Sequence, residues 1–136
     1  MKVEIVTPTG VKFAGEAAQI VAPGLLGDLC ILPNHEPILA ALRTGLCTIH
    51  VPGNEPQPLV VDGGYLHVTE AGQVTIATEL CEAWQEVNVD AARAALETAT
   101  VALLGSKEAT TSQAWQVMKH DVELAETRIR VGGARP

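Results

Sequence analysis

The chain changes its rules once, near Val87. Before that residue, Gly and Pro punctuate short segments in which polar and apolar residues alternate; beyond it the punctuation stops and apolar residues recur at helical spacing. A chain of 136 residues with such a switch has room for one small core and an appendage.

In the first part, Lys2–Val6, Ala18–Ala22, Asp28–Leu32, Cys47–Val51, Leu59–Asp62, Tyr65–Thr69 and Gln73–Thr78 read as strands. Gln73-Val74-Thr75-Ile76-Ala77-Thr78 alternates with period two, as a half-buried strand requires. Turn signals fall between the segments at Thr7-Pro8-Thr9-Gly10, Pro52-Gly53-Asn54, Asp62-Gly63-Gly64 and Ala71-Gly72. Many short strands at this spacing predict an antiparallel β-sandwich or flattened barrel. Only 3% of the residues are aromatic, so its core must be built from Val, Leu, Ile and Ala.

Past Val87, Asn88 is a plausible N-cap, Asp90 suits the first turn, and Gly105 is a natural terminator. Ala92, Leu96, Ala99 and Leu103 form one apolar stripe; Trp115, Met118, Val122, Ala125 and Ile129 form another. Gly105-Ser106-Lys107-Glu108 would join two antiparallel helices, and the alanines of the first would let their axes approach closely. Gly132-Gly133 with Ala134, Arg135 and Pro136 is expected to fray. The expected fold class is therefore α+β, with a β-sandwich domain at residues 1–87 and a helical hairpin domain at 88–136. Helices joined by so narrow a seam are marginal alone, so the hairpin is expected to move relative to the sandwich.

The formal net charge of −7 and a pI near 5.0 argue against a nucleic-acid partner, which needs a concentrated basic patch, and against adhesion to anionic lipid. Met1 to Thr9 alternates and is not read as a signal peptide, and no run approaches the ~20 apolar residues of a bilayer span. No direct membrane insertion is expected; attachment to a membrane would go through protein partners. Cys30, Cys47 and Cys81 are odd in number and widely spaced, which favours reduced thiols over a disulfide framework or a zinc site.

Histidines 35, 50, 67 and 120 could serve as bases or ligands, but no HExxH, GxSxG, P-loop or dinucleotide fingerprint accompanies them. A non-catalytic protein is expected. The densest segment runs from Gly24 to Leu39: two glycines, a short apolar strand, then Pro33 and Pro37. Asp28, Asn34, His35 and Glu36 stand out there against apolar neighbours. They are either solvated turn residues or the polar contacts of a rigid presentation loop.

At this segment the chain resembles the epsilon subunits of F-type ATP synthases, the counterparts of the mitochondrial delta subunit. Their pattern, approximately G-x-x-G-[ED]-L-G-I-L-P-x-H-A-P-L-L-x-x-L-x-x-G, is met without a gap by Gly24, Gly27, Asp28, Leu29, Ile31, Leu32, Pro33, His35, Pro37, Leu39, Leu42 and Gly45. Gly63-Gly64, Leu66, Val68 and Val74-Thr75-Ile76-Ala77 match later strands. Cys30 stands where a glycine is usual, and Glu36 where a small residue is usual.

The resemblance implies a sandwich followed by a hairpin. It implies a rotor subunit of the central stalk that links the gamma subunit to the c-ring and helps couple ion-driven rotation to ATP synthesis. Asp28, Asn34, His35 and Glu36 would then lie at the interface with the c-ring and gamma. An extended hairpin would reach the alpha and beta catalytic subunits and restrain hydrolysis. The implied location is the cytoplasmic side of a bacterial membrane.

Val89-Asp90-Ala91-Ala92-Arg93-Ala94 also resembles the [IL]-D-x-x-R-A motif with which some bacterial members bind regulatory ATP. Asp90 and Arg93 share a helix face, and arginine suits phosphate. An ordinary i,i+3 salt bridge is the other reading of the pair. A stand-alone module that senses ATP at the hairpin start is the alternative function. No other cofactor is expected.

Overall fold

A computed structural model describes residues 1–134. Ten strands precede the helices: β1 (Lys2–Thr7), β2 (Gly10–Glu16), β3 (Gln19–Ala22), β4 (Leu29–Ile31), β5 (Ile38–Ala41), β6 (Thr44–His50), β7 (Gln57–Asp62), β8 (Tyr65–Val68), β9 (Val74–Ala77) and β10 (Cys81–Ala83). They form two five-stranded sheets, ordered β2-β1-β9-β8-β5 and β10-β7-β6-β3-β4, packed face to face. Ile5, Ile20, Ile49, Leu66 and Ile76 are fully buried between them. The core is aliphatic, as the scarcity of aromatics demands; Phe13 is only partly buried at its margin.

All seven segments expected as strands contain strands. The structure adds β2, β5 and β10. Apart from a half-buried Phe13, β2 is exposed at a sheet edge and carries little alternation to read. β10 has only three residues, too few for a period to show. Pairing is antiparallel except between β1 and β9, which run parallel in register Val3↔Val74 to Val6↔Ala77. These strands are remote in sequence, so no hairpin constrains their direction.

A 3-10 turn (Trp84–Glu86) leads into α1 (Val89–Leu104) and α2 (Gln113–Gly133). The Asn88 side chain caps α1, accepting from the Ala91 N–H at 3.0 Å. The link between helices is longer than expected, because α2 starts only where Ser112 Oγ accepts from the Trp115 N–H at 3.1 Å. Every residue of both expected stripes is buried or half-buried.

Gly132 and Gly133, which were expected to fray, both lie within α2. A Cβ at Gly132 would collide with the Val89 side chain, so the glycine lets the end of α2 close onto the start of α1. Arg135 and Pro136, which belong to the same expectation, lie outside the described residues.

The second face of α2 was not legible in the sequence. Thr127 and Val131, off the expected stripe, are buried, and α2 packs on the outer face of β6 and β7. Val60 is fully buried yet outside the sandwich core, so β7 is covered on both sides.

Candidate partner-binding interface

The Gly24–Pro37 segment wraps the side of the sandwich where β4 and β5 are the edge strands. A bridge between Gly24 and Leu42, with the Leu25 N–H donating to Ala41 O at 2.8 Å, ties its start to the end of β5. Gly27 N–H donates to Gly24 O at 3.2 Å and closes a tight turn. Gly27 has φ +138°, and a Cβ at Gly24 would strike the Gly27 carbonyl oxygen, so both glycines are required by the turn.

The turn forces Leu25 and Leu26 outward. Leu25 is 62% exposed, Leu26 fully exposed, and Leu39 on β5 is 70% exposed. With Leu29, Ala40 and Ala41 they line an apolar hollow of about 360 Å³. Next to it Arg43 Nη2 donates to Asp28 Oδ1 at 2.6 Å, both side chains remaining largely exposed. Asp28 therefore has a partner within the chain.

Asn34, His35 and Glu36 lie at the other end of β4, about 10 Å of strand away. There His35 N–H donates to Leu32 O at 3.1 Å, and Asn34, at φ 70°, is the only non-glycine residue described with positive φ. Pro followed by a residue at positive φ is the signature of a type II turn. His35 Nδ1 lies 2.7 Å from the Glu36 carbonyl oxygen. That oxygen only accepts, so Nδ1 carries the hydrogen and Nε2 faces away from this contact. The four residues singled out in the sequence thus form two sites: Asp28 beside the leucines, and Asn34–Glu36 on the far turn. The leucines escaped notice because exposed and buried Leu look alike in sequence.

Asp90 and Arg93 are both exposed, and no ion pair joins them among the described residues. The cleft of about 330 Å³ beside the hairpin start is lined by Glu82, Glu86, Asn88, Ala91 and Arg128 rather than by that pair. Arg128 comes from α2 and grips Glu82 of β10, with Nε 2.7 Å and Nη2 3.4 Å from its two carboxylate oxygens. A second bond joins the hairpin to the sandwich: His120 Nε2 lies 2.7 Å from Asp62 Oδ1. Spacing gave no sign of either pairing, since the partners are 46 and 58 residues apart.

Among the described residues no group of three or more His, Cys, Asp or Glu is placed to hold a metal, and no helix is long and apolar enough to cross a membrane.

Residues 1–83 match the family described as ATP synthase, delta/epsilon chain, beta-sandwich domain. The chain belongs to the ATP synthase delta/epsilon family. Similarity extends beyond the matched sandwich. The ATP synthase epsilon chain of Thermobifida fusca is 38% identical over 135 residues, covering 97% of this chain and 91% of its own. That of Geobacter sulfurreducens is 34% identical over 133 residues, covering 98% and 94%. That of Brevibacillus brevis is 37% identical over 99 residues, 73% of this chain and 74% of its own.

The fold recurs in a chain of the Euglena gracilis mitochondrial ATP synthase OSCP/F1/c-ring assembly, at TM-score 0.79 and 21% identity over 92% of this chain and 76% of that one. It recurs again in the central stalk/c-ring of the Tetrahymena thermophila enzyme, at TM-score 0.63 and 16% identity over 98% and 93%. Sandwich and hairpin thus recur together in chains where most side chains differ.

Proposed function

We propose that this chain is a non-catalytic rotor subunit of the central stalk of an F-type ATP synthase. In that role it joins gamma to the c-ring and transmits torque in ion-driven ATP synthesis. The observation that carries the reading is the exposed Leu25–Leu26–Leu39 patch with the Asp28–Arg43 pair at its edge. Apolar surface held out by a glycine-enforced turn is a docking feature. An exposed ion pair beside it orients a partner more than it adds affinity. The rigid sandwich behind it suits a part that must carry torque.

Co-purification with gamma and c-ring from the same source tests this, comparing wild type with Leu26→Asp, Asp28→Lys and His35→Ala. Retention of both partners by the wild type, with c-ring lost from the first two variants, is expected. Failure of the wild type to retain gamma at native salt and pH overturns the assignment. Held by such partners, the chain would sit at the cytoplasmic side of a bacterial membrane.

The hairpin adds regulation to this proposal. Folded onto the sandwich it is withdrawn; released, it would reach the alpha and beta subunits and slow hydrolysis. Truncation after Val87 in a reconstituted enzyme is expected to raise ATP hydrolysis, and an unchanged rate would remove the regulatory role.

A regulatory ATP at the hairpin start has less support. The cleft there offers phosphate one arginine already paired with a carboxylate, and two glutamates line it. Calorimetric heat on adding ATP, abolished by Arg93→Ala, would restore the nucleotide-sensing alternative.

A further inference from the structure

We infer that the indole N–H of Trp84, left without an acceptor beneath α2, biases the hairpin towards release from the sandwich. This rests on the proposed mobility of the hairpin; the rotor assignment is not required.

Trp84 follows β10 and opens the 3-10 turn. Ala83 before it is extended, with φ −72° and ψ 155°, so the alternation of β10 carries on for one more residue. Cys81 and Ala83 pack on the sandwich core, while Glu82 points to the other side, where Arg128 of α2 grips it. Trp84 therefore lies on the side that α2 covers, and its turn sits against both α2 and β7. Helix α2 also meets the chain beyond Trp84, because Gly132 is seated against the side chains of Val87 and Val89. Arg128 and Gly132 are about one turn apart on α2, so this turn passes over the segment that holds Trp84.

The residue as a whole is half-buried, yet its Nε1 is shut off from solvent and has no hydrogen-bond partner. Among the described residues it is the one buried side-chain nitrogen or oxygen left unpaired. An indole N–H can only donate, so no flip or change of tautomer supplies a partner. The other polar groups under α2 are matched. Arg128 holds Glu82, and Asp62 accepts from Thr44 while His120 lies within bonding distance of the same oxygen. Two fastenings thus hold α2 down, and one orphaned donor opposes them.

The sign follows from what each state offers the N–H. Docked, it has given up water and gained nothing in return, which costs more than a hydrogen bond exchanged for another. Released, it regains water while the sandwich core on the far side of the sheet stays folded. The rings act the other way, because their apolar area favours cover by α2. Ring and N–H therefore pull in opposite directions at one residue, just ahead of the hairpin. Docking survives the penalty, but the fraction of released hairpins rises, and released helices of this length expose their amides to exchange.

The test must remove the N–H and keep the rings. Benzothienylalanine does so, with sulfur where indole has N–H, and Trp115→Phe provides a background in which it replaces tryptophan at position 84 alone. Amide hydrogen exchange of the full chain compares tryptophan with the analogue in that background at one pH, so that intrinsic rates cancel. Protection of α2 amides is expected to rise about five- to fiftyfold with the analogue, and the urea midpoint to rise with it. Unchanged or lowered α2 protection overturns the proposal, and a lowered urea midpoint with it would mean that the N–H is bonded to a buried water. A rise confined to the strand amides of Ile49 and Val60 overturns it too, since the indole would then stay covered when α2 lifts. If α2 amides in the tryptophan form exchange no faster than those strand amides, the hairpin does not move separately and the bias falls with it. Truncation after Val87 bears on regulation alone, so the two failures are distinguishable.

Discussion

Asp62, the last residue of β7, and His120, midway along α2, meet at 2.7 Å across 58 residues of sequence. The same carboxylate accepts from Thr44, and the Asp62 N–H donates to Thr78 Oγ1, whose hydroxyl donates to Leu80 O. One residue therefore ties together β6, β7, the turn before β10 and the hairpin. Asp62→Ala strands the Thr44 hydroxyl and the imidazole together. It should cost about 1–2 kcal/mol, seen as a fall of a few degrees in thermal midpoint. Thr44→Val removes one bond only and should cost less.

Gly64 has φ +92°, and a Cβ there would overlap the Ala77 carbonyl oxygen across the β8–β9 ladder. Gly53, with φ +80°, has nothing within 4 Å of the same position. Gly64→Ala should therefore destabilise by roughly 3 kcal/mol or prevent folding, and Gly53→Ala by about 1 kcal/mol. Urea unfolding of the two variants side by side separates backbone strain, common to both, from the steric clash peculiar to Gly64.

The thiols should divide by burial. Cys30 is exposed, while burial pushes Cys47 up to about 12 and Cys81 up to about 11. At pH 8 a thiol reagent should modify Cys30 rapidly and the other two only after denaturation. Because the fold favours the neutral thiols, their contribution to stability is full below the ordinary thiol range. It declines as pH climbs from about 8.5 towards 11. Denaturant midpoints at pH 8 and 10.5 should reveal the loss, and Cys47→Ala should reduce it.

Leu26 makes the opposite prediction to a core leucine. It is fully exposed, so Leu26→Ser should leave stability within about 0.5 kcal/mol, whereas Leu66→Ala, fully buried, should cost about 2–5 kcal/mol. If Leu26 serves docking, its variant should lose partners while melting like the wild type. Parallel loss of stability would place the leucine in the fold instead.

Much of this was legible beforehand because it is local. The alternation of Gln73–Thr78, the Asn88 cap and the two apolar stripes each depend on residues within a few positions of one another. The backbone geometry that reads them is the same in any protein. The glycines of the Gly24–Gly27 turn could be recognised for the same reason. What escaped was set by distant partners or by exposure. β2 is an edge strand with only Phe13 half-buried, so its period is nearly silent, and Gly132 continues α2 because Val89 sits against it.

The sequence by itself determined the class of fold, an aliphatic core and the family motif, because pattern and composition constrain those directly. Only the tertiary structure decided that Asp28 pairs with Arg43 and that Leu25, Leu26 and Leu39 gather into one patch. It alone decided that α2 turns a second face to β6 and β7, with His120 and Arg128 as its fastenings. Charge and hydrophobicity set what a residue can bind. Which residue it binds depends on which surfaces the folded chain brings within a few ångströms, and no local pattern carries that distance.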